Sequence, residues 1–335
     1  MSDKKLYMNP CNKWNDLERV SRQQAKVLEM QQENADAFDT GAGTYDEMRA
    51  AYRKERKQWN SGGPVMAEVV EMEVPFEGHT VKARLLRPYD VPDLPVLFFI
   101  HGGGFVLGDN DTHNLVQRKL ASYGGVAVIG IEYTLSPEAI YPLPVQECAA
   151  VVRYVTEHAE ELRLDVSRIG FAGDSGGANF SMAVTLYLRD TGYDTSAFKA
   201  NILYYGMYGL KMSHSAFLHG GTWDGMTEAD LNYYYEMYLG EQDMIDCPYF
   251  NIYANDLTFG IPSCFIVAAE LDPLSDDSRL LYDILTDKGV ACEYREYKGA
   301  LHAFIHYSKV MDDAEDGLRR GAHFFARACG LDPRN

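Results

Sequence analysis

The sequence predicts an α/β fold: a mostly parallel central sheet flanked by helices, with a helical cap. Three observations carry this. Short, nearly continuous apolar runs recur at 96–100 (VLFFI), 126–131 (VAVIGI), 168–173 (RIGFAG), 200–206 (ANILYYG) and 264–270 (CFIVAAE). Such runs suit strands buried on both faces of a sheet. Helical stretches at 117–123, 146–162 and 278–289 separate several of them, and strand–helix alternation builds an open sheet through right-handed crossovers. The alternation breaks once, over some fifty residues between Tyr205 and about Gly260, and an insertion of that length is usually functional.

The elements follow in order. Residues 16–60 are polar, with Val20, Ala25, Val27 and Leu28 at roughly helical spacing; they predict two helices broken at Asp39-Thr40-Gly41. Residues 66–87 alternate apolar and polar side chains, which predicts an antiparallel hairpin turning near Glu77-Gly78. The insertion contains TWDGMTEADLNYYYEMYL, a predicted helix rich in Tyr233, Tyr234, Tyr235 and Tyr238. The resulting division is a helical cap segment over 1–65, a core over 66–205, a cap insertion over 206–255 and the rest of the core over 256–335.

Bulk properties narrow the function. Apolar residues make up 46% and charged residues 24%, which places the chain among folded globular proteins rather than disordered ones. A net charge of −18 repels phosphate backbones, so nucleic acid is disfavoured as a partner. The six cysteines form no CxxC pair and no Cys/His cluster with zinc spacing, so no metal is predicted and the thiols read as reduced. No apolar stretch is long enough to span a bilayer and the N-terminus lacks a signal core; a cytoplasmic protein is expected.

Two glycine clusters carry the chemistry. Gly173-Asp174-Ser175-Gly176-Gly177 fits G-x-S-x-G, follows an apolar run and precedes the helical SMAVTLYLRD. That context puts a serine on a tight strand-to-helix turn, with its hydroxyl projecting at the sheet edge. The hydroxyl needs a base and the base an orienting acid, in the chain order Ser, acid, His. Asp272 follows the 264–270 run and is the predicted acid. Its rivals are Glu270, read as lying within the strand, and Asp276 and Asp277, read as N-caps of the next helix. His302 follows the period-2 run CEYREY and is the predicted base; His306 is read as facing solvent or packing. The first cluster, FFIHGGGFVLGD at 98–109, supplies bare backbone amides for a developing oxyanion. Gly103 and Gly104 are the predicted donors, with Gly102 the alternative, and the Gly176 N–H completes them. His101 is expected to hydrogen-bond locally and shape the loop, and Asp174 to support the motif. Phe105, Tyr205 and Trp223 are the predicted pocket residues. No cofactor is required.

HGGGF, GDSGG, EYTLSPE, AELDPL and LHAF occur here in one order, and together they resemble the hormone-sensitive-lipase-like family of α/β-hydrolases. GFAGDSGGA, WDGMTEADL, ELDPLSDDSRLLY and LHAFIHYSKVM look like the bacterial acetyl esterases of that family. The resemblance implies an α/β-hydrolase fold, a Ser175–Asp272–His302 triad, an HGGG oxyanion hole, a cap from the N-terminal helices plus the insertion, and small short-chain esters as substrates. Two departures stand out: Gly176 replaces the alanine of GDSAGGN, and EYTLSPE lacks the arginine of DYRLAPE, which puts cap contacts and specificity in question. The same fold also serves ligand- or protein-binding regulators. An intact Ser, Asp and His favour catalysis, while a protein partner or homo-oligomer remains compatible.

Overall fold

The computed structural model describes residues 9–33 and 43–333. The predicted helix break at Asp39-Thr40-Gly41 lies outside them. Among the described residues, α1 (Arg22–Glu33) and α2 (Tyr45–Asn60) flank that gap. Thr44 and Glu47 start α2 with a reciprocal capping box, which satisfies two otherwise unpaired amides.

The hairpin forms as the alternation predicts. β1 (Glu68–Phe76) pairs antiparallel with β2 (His79–Arg87), and Phe76 faces His79 across the turn. Glu77 (φ 40°) and Gly78 (φ 92°) take the left-handed conformations that a two-residue turn requires. The remaining strands are β3 (Leu94–Ile100), β4 (Ala127–Glu132), β5 (Leu164–Asp174), β6 (Phe198–Tyr204), β7 (Ser263–Ala269) and β8 (Cys292–Tyr297). The sheet order is β1-β2-β4-β3-β5-β6-β7-β8, antiparallel through β2 and parallel from β4 onward.

The apolar runs are continuous because both faces are covered. Val96, Phe98 and Ile100 enter one core, while Leu97 and Phe99 enter the other. Each such side chain contributes about 1.5–3 kcal/mol on burial. The first core includes side chains of α4 (Leu143–Glu157), α5 (Gly176–Asp190) and α8 (Ser275–Asp287). The second includes α3 (Asn114–Gly124) and α9 (Asp312–Ala328). Helix α9, which the apolar runs do not announce, packs Leu318, Ala322 and Phe325 into that second core.

Between β6 and β7 lie α6 (His214–Leu218) and α7 (Glu228–Leu239). Asp276 and Asp277 do not cap α8, whose N-cap residue is Leu274. Instead Asp277 Oδ1 accepts the Tyr208 and Leu210 N–H groups at 2.7 and 3.1 Å, and Asp276 Oδ2 accepts that of Ser215 at 2.7 Å. The two carboxylates anchor the start of the insertion to the core. Glu270 lies just past β7 rather than within it and accepts the Gly299 N–H at 2.8 Å. Among the described residues, no helix is long and apolar enough to cross a membrane.

Candidate active site

Ser175 sits between the last residue of β5 and the first of α5, with φ 53° and ψ −122°. A residue other than glycine holds such a conformation only where its surroundings enforce it. Here the Ser175 N–H donates to Tyr204 O at 2.9 Å. The flanking glycines admit the turn: a Cβ on Gly173 would stand 2.3 Å from Gly177 O, and one on Gly177 would stand 2.0 Å from Ile100 O.

Three buried side chains converge there. The Ser175 hydroxyl donates to His302 Nε2 at 2.9 Å, and His302 Nδ1–H donates to Asp272 Oδ2 at 2.7 Å. The other Asp272 oxygen accepts the Leu274 N–H at 2.8 Å, which fixes the carboxylate plane. Burial disfavours a charged imidazole at His302, but the charge and hydrogen bond of Asp272 outweigh it and raise the pKa above 6.5. The loop carrying His302 is braced by the N-terminal segment. The Ser21 N–H donates to Gly299 O at 2.9 Å, and Gln24 Oε1 accepts the Leu301 N–H at 3.2 Å.

The glycine loop follows β3 on the same edge. His101 shapes it locally, with Nδ1–H donating to Gly102 O at 2.9 Å and its ring stacked on Tyr133. Burial, then the neighbouring His113, pushes the His101 pKa down to about 4, so it stays neutral. Gly102 is not free to act as a donor, because its N–H already donates to Asp174 Oδ1 at 3.0 Å. Among the described residues no backbone acceptor meets the N–H of Gly103 or Gly104. Gly104 has φ +59°, and a Cβ there would stand 2.4 Å from Tyr234 Cδ1; α7 therefore lies directly on this loop.

The predicted pocket residues do not share one wall. Phe105 packs in the first core, stacked on Tyr238 at 4.2 Å, and a Cβ on Gly176 would stand 3.1 Å from its ring. Tyr205 falls on the other side. Its φ of 39° breaks strand alternation, so Tyr204 and Tyr205 both enter the second core. There the Tyr205 ring meets His302 edge-on at 4.9 Å. Trp223 is half-buried, with its ring against Gly221.

Spacing does not announce a further cluster. His113 Nε2 lies 3.2 Å from Asp174 Oδ1, and His306 Nε2 lies 3.5 Å from Asp174 Oδ2. His306 thus faces a buried carboxylate rather than solvent. Burial alone would raise the Asp174 pKa, but His113 and His306 carry it well below the usual carboxylate range. Burial and the nearby Arg56 hold His306 down at about 3. His113, Asp174 and His306 have the residue types and proximity to hold a metal ion, although hydrogen bonding already accounts for the carboxylate. At the second departure, Thr134 is tied through its N–H and hydroxyl to Glu147, while Arg49 of α2 pairs with Glu138 at 2.7 Å.

Residues 97–306 match the family described as having the alpha/beta hydrolase fold. Among solved structures, the chain is similar to a hyperthermophilic esterase from the archaeon Pyrobaculum calidifontis, with 27% identity, TM-score 0.83, and coverage of 92% of this chain and 99% of the other. It is similar to EstE1, a thermophilic carboxylesterase cloned from a metagenomic library, with 25% identity, TM-score 0.80, and coverage of 87% and 99%. It is also similar to the ester-hydrolase EH1AB1 from the metagenome of Lake Arreo, with 25% identity, TM-score 0.86, and coverage of 93% and 100%. With a serine on a strained turn and carboxylesterases as its structural neighbours, the chain belongs to the α/β-hydrolases, in their hormone-sensitive-lipase-like branch.

Proposed function

We propose that the protein is a serine esterase that cleaves short-chain acyl esters through an acyl-enzyme. The observation that carries this is the continuous hydrogen-bonded line from Ser175 through His302 to Asp272. His302 Nε2 takes the Ser175 proton as Oγ attacks the ester carbonyl. Asp272 holds the imidazole tautomer and stabilises its charged form. The N–H groups of Gly103, Gly104 and Gly176 stabilise the oxyanion, each donor being worth about 2.7–4 kcal/mol. His302 then protonates the leaving alcohol. Water, deprotonated by His302, attacks the acyl-enzyme, and the acid leaves as Ser175 regains its proton.

The short-acyl reading rests on Phe105. Its ring stands beside Gly176 and is itself packed by Phe180, Tyr238 and Phe250, so a long chain has little room near the nucleophile. The segments 1–65 and 206–255 act as the cap, supported by Tyr234 over Gly104 and by the Ser21 and Gln24 braces. Initial rates on p-nitrophenyl acetate, butyrate, octanoate and palmitate test this. The two short esters are expected to dominate; inactivity on all four overturns the esterase, and preference for palmitate overturns the small pocket.

The pH profile tests the base. His302 accepts the proton only when neutral, and its pKa is raised above 6.5. Activity is therefore lost as pH falls, with the acid-limb midpoint of kcat/KM above pH 6.5. Asp272→Asn removes the charge that raises it, so the residual activity of that variant should show the midpoint displaced downward. A midpoint that does not move would remove Asp272 as the cause.

A further inference from the structure

Asp224 lies in the bend before α7. Its Oδ1 accepts two backbone N–H groups, from Gly221 at 3.0 Å and Met226 at 3.2 Å. Its Oδ2 is buried and has no donor among the described residues. Leaving a buried carboxylate oxygen unpaired is costly. The indole Nε1 of the adjacent Trp223 is likewise buried without an acceptor. The bend thus carries one free acceptor and one free donor.

The bend lies beside the catalytic loops. A Cβ on Gly220 would lie 3.1 Å from Pro273, the residue after Asp272. A Cβ on Gly225 would lie 3.9 Å from the Tyr234 hydroxyl, and the Tyr234 ring covers Gly104. The bend therefore runs between the loop of the acid and the glycine loop. Burial raises the Asp224 pKa to about 6, against the opposing pull of its backbone hydrogen bond from Gly221 and of the nearby His302, so the carboxylate is the majority form at neutral pH.

We infer that Asp224 and Trp223 form a subsite for a hydroxyl group of the substrate, making this an esterase selective for hydroxylated esters. A hydroxyl suits atoms of both kinds, because it can donate to a carboxylate oxygen such as Asp224 Oδ2 and accept from an indole N–H such as that of Trp223. An ammonium would satisfy only the carboxylate. An apolar ester satisfies neither, and a site built to hydrogen-bond a hydroxyl rejects the analogue that lacks it. The inference rests on the esterase reading above.

The test compares kcat/KM for 2,3-dihydroxypropyl acetate with that for propyl acetate, in wild type, Asp224→Asn and Trp223→Phe. Asn keeps the acceptor for Gly221 and Met226 and turns the free acceptor into a donor. Wild type is expected to favour the dihydroxy ester, and that ratio should fall about tenfold or more in Asp224→Asn and by a smaller factor in Trp223→Phe. Propyl acetate turnover reports folding and the triad in the same samples. An unchanged ratio, or an equal fall on both esters, overturns the subsite. Preference for 2-aminoethyl acetate over the dihydroxy ester, insensitive to Trp223→Phe, overturns the hydroxyl assignment. Wild type inactive on all of them overturns the esterase reading, and the subsite with it.

Discussion

Ser175→Ala should lower kcat on p-nitrophenyl acetate by about four to six orders of magnitude. The variant is expected to fold, because the hydroxyl caps nothing and the backbone anchor from the Ser175 N–H to Tyr204 O survives. Alanine also inherits a comparable strain at φ 53°, so stability should change little. What disappears is the atom that bonds to the acyl group, together with the hydroxyl 2.9 Å from His302 Nε2. The groups act as a unit, so adding His302→Ala should cost little more than either change alone. The residual rate over water would come from substrate binding and the amides of Gly103, Gly104 and Gly176. Intact-mass analysis during turnover gives an independent reading: an acetyl adduct in wild type, and none in Ser175→Ala. A variant within tenfold of wild type, or one that still carries the adduct, would show that Ser175 is not the nucleophile.

The parts of this site that the sequence makes legible are those that depend on local backbone. The turn at Glu77-Gly78, the β5–α5 elbow and the strand before His302 each need particular residues at fixed short spacings, and each formed where those residues stand. Apolar runs mark a parallel sheet because their apolar residues are buried on both faces, as throughout β3. Contacts between distant segments leave no such mark. His113 and His306 meet at Asp174 only because β3, β5 and β8 deliver their following loops to one edge. The same carboxylate takes the Gly102 N–H, which no count of glycines reveals. Asp276 and Asp277 stand where N-caps stand, yet a tertiary demand from Tyr208, Leu210 and Ser215 claims them. Tyr205 is a strand residue by composition, but its positive φ turns it away from the face that alternation assigns. Helix α9 keeps its apolar residues on one stripe, and that 3.6-residue period is a mark the sequence does carry.

Asp174→Ala should be the most damaging change that touches neither substrate nor nucleophile. The carboxylate is buried and holds three elements together: Gly102 at the head of the glycine loop, His113 before α3 and His306 after the base. Removing it leaves the Gly102 N–H unmet and takes the carboxylate partner from His113 and His306. Leaving a buried donor such as the Gly102 N–H without its acceptor costs about 1–3 kcal/mol, and the imidazoles lose their partner as well. Activity should fall as well, by about a hundredfold, because the oxyanion donors follow directly after Gly102 and a displacement of about an ångström is enough. The pH dependence separates this from simple loss of volume. The Asp174 pKa in the fold lies well below its ordinary value, so its contribution is fully present above about pH 4 and is lost as pH falls further toward the folded value. The stability gap between wild type and variant should therefore be constant from neutral pH down to about 5 and narrow below about 4. Asp174→Asn keeps one acceptor for Gly102 and should recover part of the activity. Urea unfolding midpoints and kcat for the three proteins decide it: a gap under about 0.5 kcal/mol, or one that does not change with pH, would mean that the carboxylate does not carry the loop.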